Sequence, residues 1–264
     1  MSMNIIVCIK QVPGSNKVEV DPVTGVLKRD GVESKMNPYD LYALETALKL
    51  KETYGGTIKV ISMGPPQAMQ IIREAYAMGA DEGILLSDRK FAGADVLATS
   101  YTLSQGVREA GEFDLILCGK QTTDGDTAQV GPEMAEYLKI PSVSNVKRIV
   151  SVEDGAITVE MDMANTIEIA RVKFPCLLSV EKDIFMPRLP SYVKMRATKD
   201  KEIKVIGFSS LKDQDEMKYG LNGSPTQVQR IFPPESNIKR ELWNDSAEEL
   251  ADKLFNKIKE SKFI

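Results

Sequence analysis

The sequence predicts an α/β protein. The expected architecture is three-layered, αβα, with helices on both faces of a mainly parallel sheet, an antiparallel β extension and an extended C-terminal arm. Three observations carry this. Short apolar runs without alternation recur at 4–10, 57–62, 83–87, 115–118 and 175–180, as expected of strands buried on both faces. Stretches of helical period separate the first four. The resulting order of strand, helix, strand requires parallel neighbours joined by crossovers.

The first strand, 4–10, is a β-branched run that stops at Gln11-Val-Pro13, so the chain leaves it extended and stiff. Residues 17–28 read as a short hairpin around Asp21 to Gly25. Asn37-Pro38 is a helix start, with Asn as N-cap and Pro at the first helical position. Leu41, Leu44, Leu48 and Lys51 follow at helical spacing until Gly55-Gly56. The second strand runs into Met63-Gly-Pro-Pro66, and Ile71, Ile72, Ala75 and Tyr76 form the apolar face of the next helix. A strand at 83–87 and a longer helix at 94–110 complete this series. Residues 146–152, 156–161 and 166–172 are strand-like, with an Asp154-Gly155 hairpin turn between the first two. Regularity falls after about residue 183. Lys194 to Lys204 is rich in basic residues, which read as a solvated face. Residues 207–240 show little periodicity, which predicts an arm lying on a partner. A last helix starts at Ser246 with Glu249 completing a capping box, and carries Leu250, Leu254, Phe255 and Ile258 as a stripe. The predicted division is 1–190 for a nucleotide-binding domain and 191–264 for an arm and helix.

Composition removes several function classes. The 264 residues are 42% hydrophobic and 27% charged, and the net charge is −4, so nothing favours nucleic acid or an anionic membrane. No apolar run approaches the ~20 residues of a bilayer span, and no signal-peptide pattern opens the sequence. Cys8, Cys118 and Cys176 all sit in apolar strand-like runs, which argues for core packing in a reducing cytoplasm and against disulfides or metal. There is no histidine, which removes the Ser-His-Asp and Cys-His schemes and His-ligated zinc. Chemistry here would be carried by a cofactor, with no catalytic side chain.

The candidate site is the stretch 113–138, FDLILCGKQTTDGDTAQVGPEMAEYL. A buried strand, a loop of small residues and a helix start together offer free backbone N–H groups and a positive dipole end, which suit a phosphate. The same residues also suit a surface loop whose Thr and Asp side chains merely cap the helix. Three loops converge beyond the strand ends, after Lys10, Ser62 and Gly119, where open sheets of this type take their ligands. The GxGxxG fingerprint and the Walker A loop are both absent.

Five blocks in order resemble one family. They are Val7 to Pro13 (VCIKQVP), Met36 to Asp40 (MNPYD) with Ala43 to Glu45, Ser62 to Pro65 (SMGP), Ala77 to Asp81 (AMGAD) and Gly119 to Gly131 (GKQTTDGDTAQVG). The segment 186–197, MPRLPSYVKMRA, resembles the family's signature after the last sheet strand. Over nearly its whole length the chain resembles the small, beta subunit of an electron-transfer flavoprotein. That resemblance implies a Rossmann-like fold of the adenine nucleotide alpha hydrolase type, with an adenine nucleotide lying across the strand ends.

Carried over position by position, the resemblance implies cofactor contacts at Cys8 and Lys10, at Asn37 and Asp40, at Met63, and along Gly119, Lys120, Gln121, Thr122, Thr123, Asp124, Gly125, Asp126, Thr127, Ala128, Gln129 and Val130. Gly119, Gly125 and Gly131 would let the backbone approach the ligand. Thr127, Gln129 and nearby N–H groups would hold a pyrophosphate, and Asn37 or Asp40 would serve the sugar or adenine edge. Asp124 and Asp126 would repel phosphate and read as capping or loop-ordering residues. Pro132 fits only an early helix position.

The family has two branches. One keeps a structural AMP here; the other binds an FAD that takes hydride from NADH and splits the electrons. Gly125, Ala128 and Val130 stand where the AMP branch carries a bulkier Asp-Asp-Asp-x-Asn-Gln-Thr pattern, so the chain resembles the bifurcating, FAD-binding branch. The implied partners are the alpha subunit, with its own FAD, ferredoxin, and an acyl-CoA dehydrogenase-like flavoenzyme. The turn Arg188-Leu189-Pro190 would dock on that dehydrogenase, with Leu189 as an apolar anchor. An adenylating ligase or a stress-type nucleotide sensor on the same scaffold is a competing class. Against a ligase, Gln11-Val-Pro13 stands where its Ser-Gly-Gly loop belongs.

Overall fold

A computed structural model of the chain describes residues 2–14, 34–229 and 240–264. The hairpin expected at 17–28 lies outside them. The described elements are β1 (Met3–Cys8), β2 (Gln11–Pro13), β3 (Ser34–Met36), α1 (Pro38–Tyr54), β4 (Gly56–Met63), α2 (Met69–Met78), β5 (Glu82–Leu86), α3 (Val96–Glu109), β6 (Leu115–Gly119) and α4 (Val130–Leu138). They continue with β7 (Ser142–Glu153), β8 (Ala156–Asp162), β9 (Ile167–Lys173), β10 (Cys176–Val180), α5 (Tyr192–Ala197), β11 (Lys204–Ile206) and α6 (Ala247–Glu260).

Nine strands form one sheet in the order β11-β5-β4-β1-β6-β10-β7-β8-β9. From β11 to β7 every neighbouring pair is parallel, and β8 and β9 add antiparallel. The expected mainly parallel sheet with an antiparallel extension is therefore present. β2 and β3 pair separately, antiparallel.

The apolar runs bury on both faces because helices cover both. Met3, Ile5 and Val7 pack with Leu44 and Leu48 of α1 and Ile71, Ile72 and Tyr76 of α2. Ile6 and Ile116 face the other way, with Leu103 and Val107 of α3 and Met134 of α4. The Asp154-Gly155 turn has φ of 51° and 70°, as a type I′ hairpin requires. The capping box at Ser246 and Glu249 is formed, and no residue of α6 is buried by this chain. Among the described residues no helix is long and apolar enough to cross a membrane.

The boundary expected at 190/191 needs correction. The chain beyond it stays on its own sheet. The amide of Ser191 donates to Ala77 O, Arg73 Nη1 to Lys201 O and Tyr76 Oη to Glu202 O. β11 pairs with β5, and Phe208, Leu211 and Tyr219 are buried against the α3–α4 face. Thr226 still donates to Asp95. Part of the basic run is thus tied down: Lys194 Nζ donates to Met78 O. Irregular backbone anchored by widely spaced aromatics has no period, so a search for period reads it as an arm.

Candidate functional site

The sheet order reverses at β1. The chain steps from β1 to β4 and β5 on one side, then returns to β6 on the other. Such a reversal opens a crevice beyond the carboxyl ends of the two central strands. Cys8 and Cys118 sit side by side there, in register on β1 and β6. Burial, then the neighbouring Cys118 and Asp40, push the Cys8 thiol well above its ordinary value. Burial, then Asp40, push Cys118 up to about 12. Both thiols are therefore neutral and form an apolar floor, flanked by half-buried Met63 and Val130.

The loop after β6 is held across the crevice by the loop after β1 and the start of α1. Lys10 Nζ donates to Asp124 Oδ1 at 2.8 Å, and the Lys10 amide donates to Asp40 Oδ2 at 2.7 Å. Asn37 is fully buried. Its Nδ2 donates to Asp40 Oδ1 and to Gln121 O, both at 2.9 Å, and its Oδ1 accepts from the Thr123 amide at 3.3 Å. Asn37 is at the N-cap position, yet its side chain caps nothing. Capping as the purpose of that side chain is corrected: it rivets α1 to the 121–123 loop. Asn37 and Asp40 spend their polar atoms inside the chain, so they shape the site.

Burial pushes the Asp40 carboxyl up to about 7, against the opposing pull of the Asn37 amide and the Lys10 and Gly119 backbone. Partial burial also works against the charge on Asp124. There the Lys10 ammonium and the Thr122 hydroxyl outweigh it and hold the carboxyl below its ordinary range. Gln121 Nε2 donates to Asp126, whose amide donates to Thr122 O. Both aspartates thus order the loop. Lys120 Nζ pairs with Glu181 at 2.6 Å.

The three glycines differ in purpose. Gly125 has neither a positive φ nor a close neighbour; a Cβ there would lie 3.4 Å from Thr122 Oγ1. The left-handed backbone falls instead on Asp126 and Ala128, at φ 55° and 57°. At Gly131 a Cβ would meet Cys118 Sγ at 2.8 Å, and at Gly119 it would meet the Tyr39 carbonyl carbon at 2.6 Å. Those two glycines admit neighbouring elements of this chain. Pro132 is the third residue of α4, where a missing N–H costs nothing.

Thr127, Ala128 and Gln129 are exposed, and α4 begins without a side-chain cap. The backbone N–H groups of 127–131 donate to no described residue. A loop that merely capped its helix would satisfy some of them. Among the described residues no group of three or more His, Cys, Asp or Glu is placed to hold a metal ion.

Arg188, Leu189 and Pro190 lie apart from this crevice, alongside α1. Arg188 forks onto Glu45 at 2.8 Å and reaches Glu52 at 2.7 Å. Sequence reasoning met Glu45 only inside a block of resemblance, missed its pairing with Arg188, and missed Glu52 altogether. Glu45 faces the core from a helix, which signals a buried partner, but no spacing points to a residue 143 positions away.

The family model described as "Electron transfer flavoprotein domain" matches residues 24–211. The chain is 44% identical over 262 residues to the electron transfer flavoprotein subunit beta of Clostridium acetobutylicum, covering 99% of this chain and 100% of that one. It is 43% identical over 264 residues to the caffeyl-CoA reductase-Etf complex subunit CarD of Acetobacterium woodii, covering 99% and 100%. It is 41% identical over 266 residues to protein FixA of Bradyrhizobium diazoefficiens, covering 97% and 91%. Full-length identity at this level, together with the family match over most of the fold, means that the chain belongs to the electron transfer flavoprotein family, among its beta subunits.

Proposed function

We propose that the crevice beyond β1 and β6 binds FAD, and that the chain works with an alpha subunit to take hydride from NADH and send the electrons along two routes. One route leads to ferredoxin. The other leads through the alpha-subunit FAD to an acyl-CoA dehydrogenase-like flavoenzyme. The observation that carries the binding reading is the uncapped start of α4, where the N–H groups of 127–131 meet a positive helix end. They would hold the pyrophosphate, with Lys10 offsetting the loop's carboxylates. The neutral Cys8 and Cys118 floor suits a flat, weakly polar group, and the small side chains of Gly125 and Ala128 favour the larger nucleotide over AMP. When bound, the flavin supplies a hydride acceptor that can release electrons singly. No side chain here acts as acid or base. A relative named as part of a caffeyl-CoA reductase-Etf complex supports a CoA-ester dehydrogenase as the kind of partner.

The test is a flavin count on this chain co-purified with its alpha subunit, followed by NADH. Two FAD per heterodimer and rapid bleaching are expected. One FAD with one AMP, and no response to NADH, would make the site a structural AMP holder.

The turn that precedes α5 is the proposed dehydrogenase contact. Leu189 and Met186 are 86% and 81% exposed, and Tyr192 and Val193 extend the patch. Pro187 and Pro190 limit the ordering cost on docking. Leu189→Ala should raise the KM for the dehydrogenase about tenfold, a loss of ~1.4 kcal/mol, with flavin content unchanged. Full activity of that variant at limiting dehydrogenase would sink the docking reading. The stripe of α6, where Leu254 and Phe255 are each 54% exposed, is assigned to the alpha subunit.

A further inference from the structure

Arg188 carries a charge in the middle of the proposed docking turn, so it first reads as a contact for the partner. Its surroundings argue otherwise. Nε and Nη2 grip the two oxygens of Glu45 at 2.8 Å each, and the Arg188 amide donates to the same carboxylate at 3.1 Å. Nη1 reaches Glu52 at 2.7 Å, two turns further along α1. The Glu45 side chain is 2% exposed. A planar guanidinium held by three contacts to two carboxylates, whose joint charge exceeds its own, has little positive charge to offer a partner. The turn is tied at its other ends as well. Tyr42 Oη donates to Asp183, and the Ser191 amide donates to Ala77 O. What remains free between these ties is the apolar set Met186 and Leu189.

We propose that Arg188 is a positioning residue: its fork on the buried Glu45 of α1 fixes the conformation in which Met186 and Leu189 are offered to the dehydrogenase. This rests on the docking reading above. The chain would otherwise have to order the turn at each encounter, and that cost would fall on affinity. The same helix carries Asn37 at its N-cap and Asp40 in its first turn, so one rigid element of 17 residues supports both the cofactor loop and the docking turn. A buried carboxylate left without its cation is costly, so the pair acts as a unit.

The experiment uses the cofactor-loaded alpha–beta complex with a short-chain acyl-CoA dehydrogenase as probe. Three variants are compared: Glu45→Gln, Arg188→Lys and Leu189→Ala. Steady-state kinetics give KM and kcat for the dehydrogenase, and hydrogen exchange follows the amides of 188, 189 and 191. Glu45→Gln and Arg188→Lys should each speed that exchange about tenfold or more and raise KM by a similar factor, with kcat and flavin content retained. Lysine keeps the charge but lacks the fork, so it separates positioning from contact. Leu189→Ala should raise KM with exchange unchanged. If Arg188→Lys keeps both wild-type exchange and wild-type KM, the inference is overturned, even should Glu45→Gln fail to fold. If Leu189→Ala leaves KM unchanged, the docking reading falls, and the exchange data alone still judge the clamp.

Discussion

Gly119→Ala should lower stability by about 3 kcal/mol and cut nucleotide occupancy at least tenfold. The added Cβ would lie 2.6 Å from both the carbonyl carbon of Tyr39 and Oδ1 of Asp40, and 2.7 Å from Tyr39 Cβ. One of these atoms is backbone and cannot swing aside. Relief requires the first turn of α1 to back away from β6. That movement drags Asn37 off Gln121 and Thr123, and the loop loses its rivet. Gly125→Ala is the control, six residues further along the same segment. Its Cβ would sit at 3.4 Å from Thr122 Oγ1, with no positive φ to strain. It should stay within about 0.5 kcal/mol of wild type. Urea melts and quantification of nucleotide released by denaturation check both. Equal effects at 119 and 125 would refute the steric account.

The second large effect is electrostatic. Asp40 has a folded pKa of about 7, against an ordinary 3.8. Between those values the native chain holds a proton that the unfolded chain has already released. More protons bound to the native state means that stability falls as pH rises. The favourable contribution is complete below about pH 4, declines by up to ~1.4 kcal/mol per pH unit, and is gone above pH 7. Across the window this amounts to roughly 4 kcal/mol. Asp40→Asn removes the titrating group, so the difference in unfolding free energy between wild type and variant should slope over that window and level off above it. The other carboxylates cancel in the difference. A flat difference from pH 4 to 7 would show that Asp40 is not the buried acid described here.

Much of the fold was legible because each central strand is a short unbroken apolar run with a helical period after it. Asp154-Gly155 announced its hairpin by chemistry alone. The candidate site stood out as a stretch, 119–130, but the contacts that shape it did not. Asn37 looked like a cap because position and residue type both fit one; only the approach of the 121–123 loop, some 84 residues away, shows what its amide holds. Gly119, Gly125 and Gly131 look alike in a list of residues. Two of them differ because other elements pass within contact distance, which no local pattern encodes. The packing of 204–226 was missed for a related reason. Phe208, Leu211 and Tyr219 are not spaced for any regular element, so their burial depends on where the α3–α4 face lies.

The position of β11 has a consequence for how the chain is made. β5 is an apolar strand, Glu-Gly-Ile-Leu-Leu, and β11 is the neighbour that covers its outer edge. That neighbour leaves the ribosome roughly 120 residues later, on the order of ten seconds at ordinary translation speed. During this interval a nascent chain with β1, β4 and β5 already paired presents a bare apolar edge, the kind of surface that recruits other strands. The three-residue clasp at Lys204–Ile206 is therefore small in the finished protein and large in its biogenesis. Truncations that end before it should be prone to aggregation even though every central strand is present.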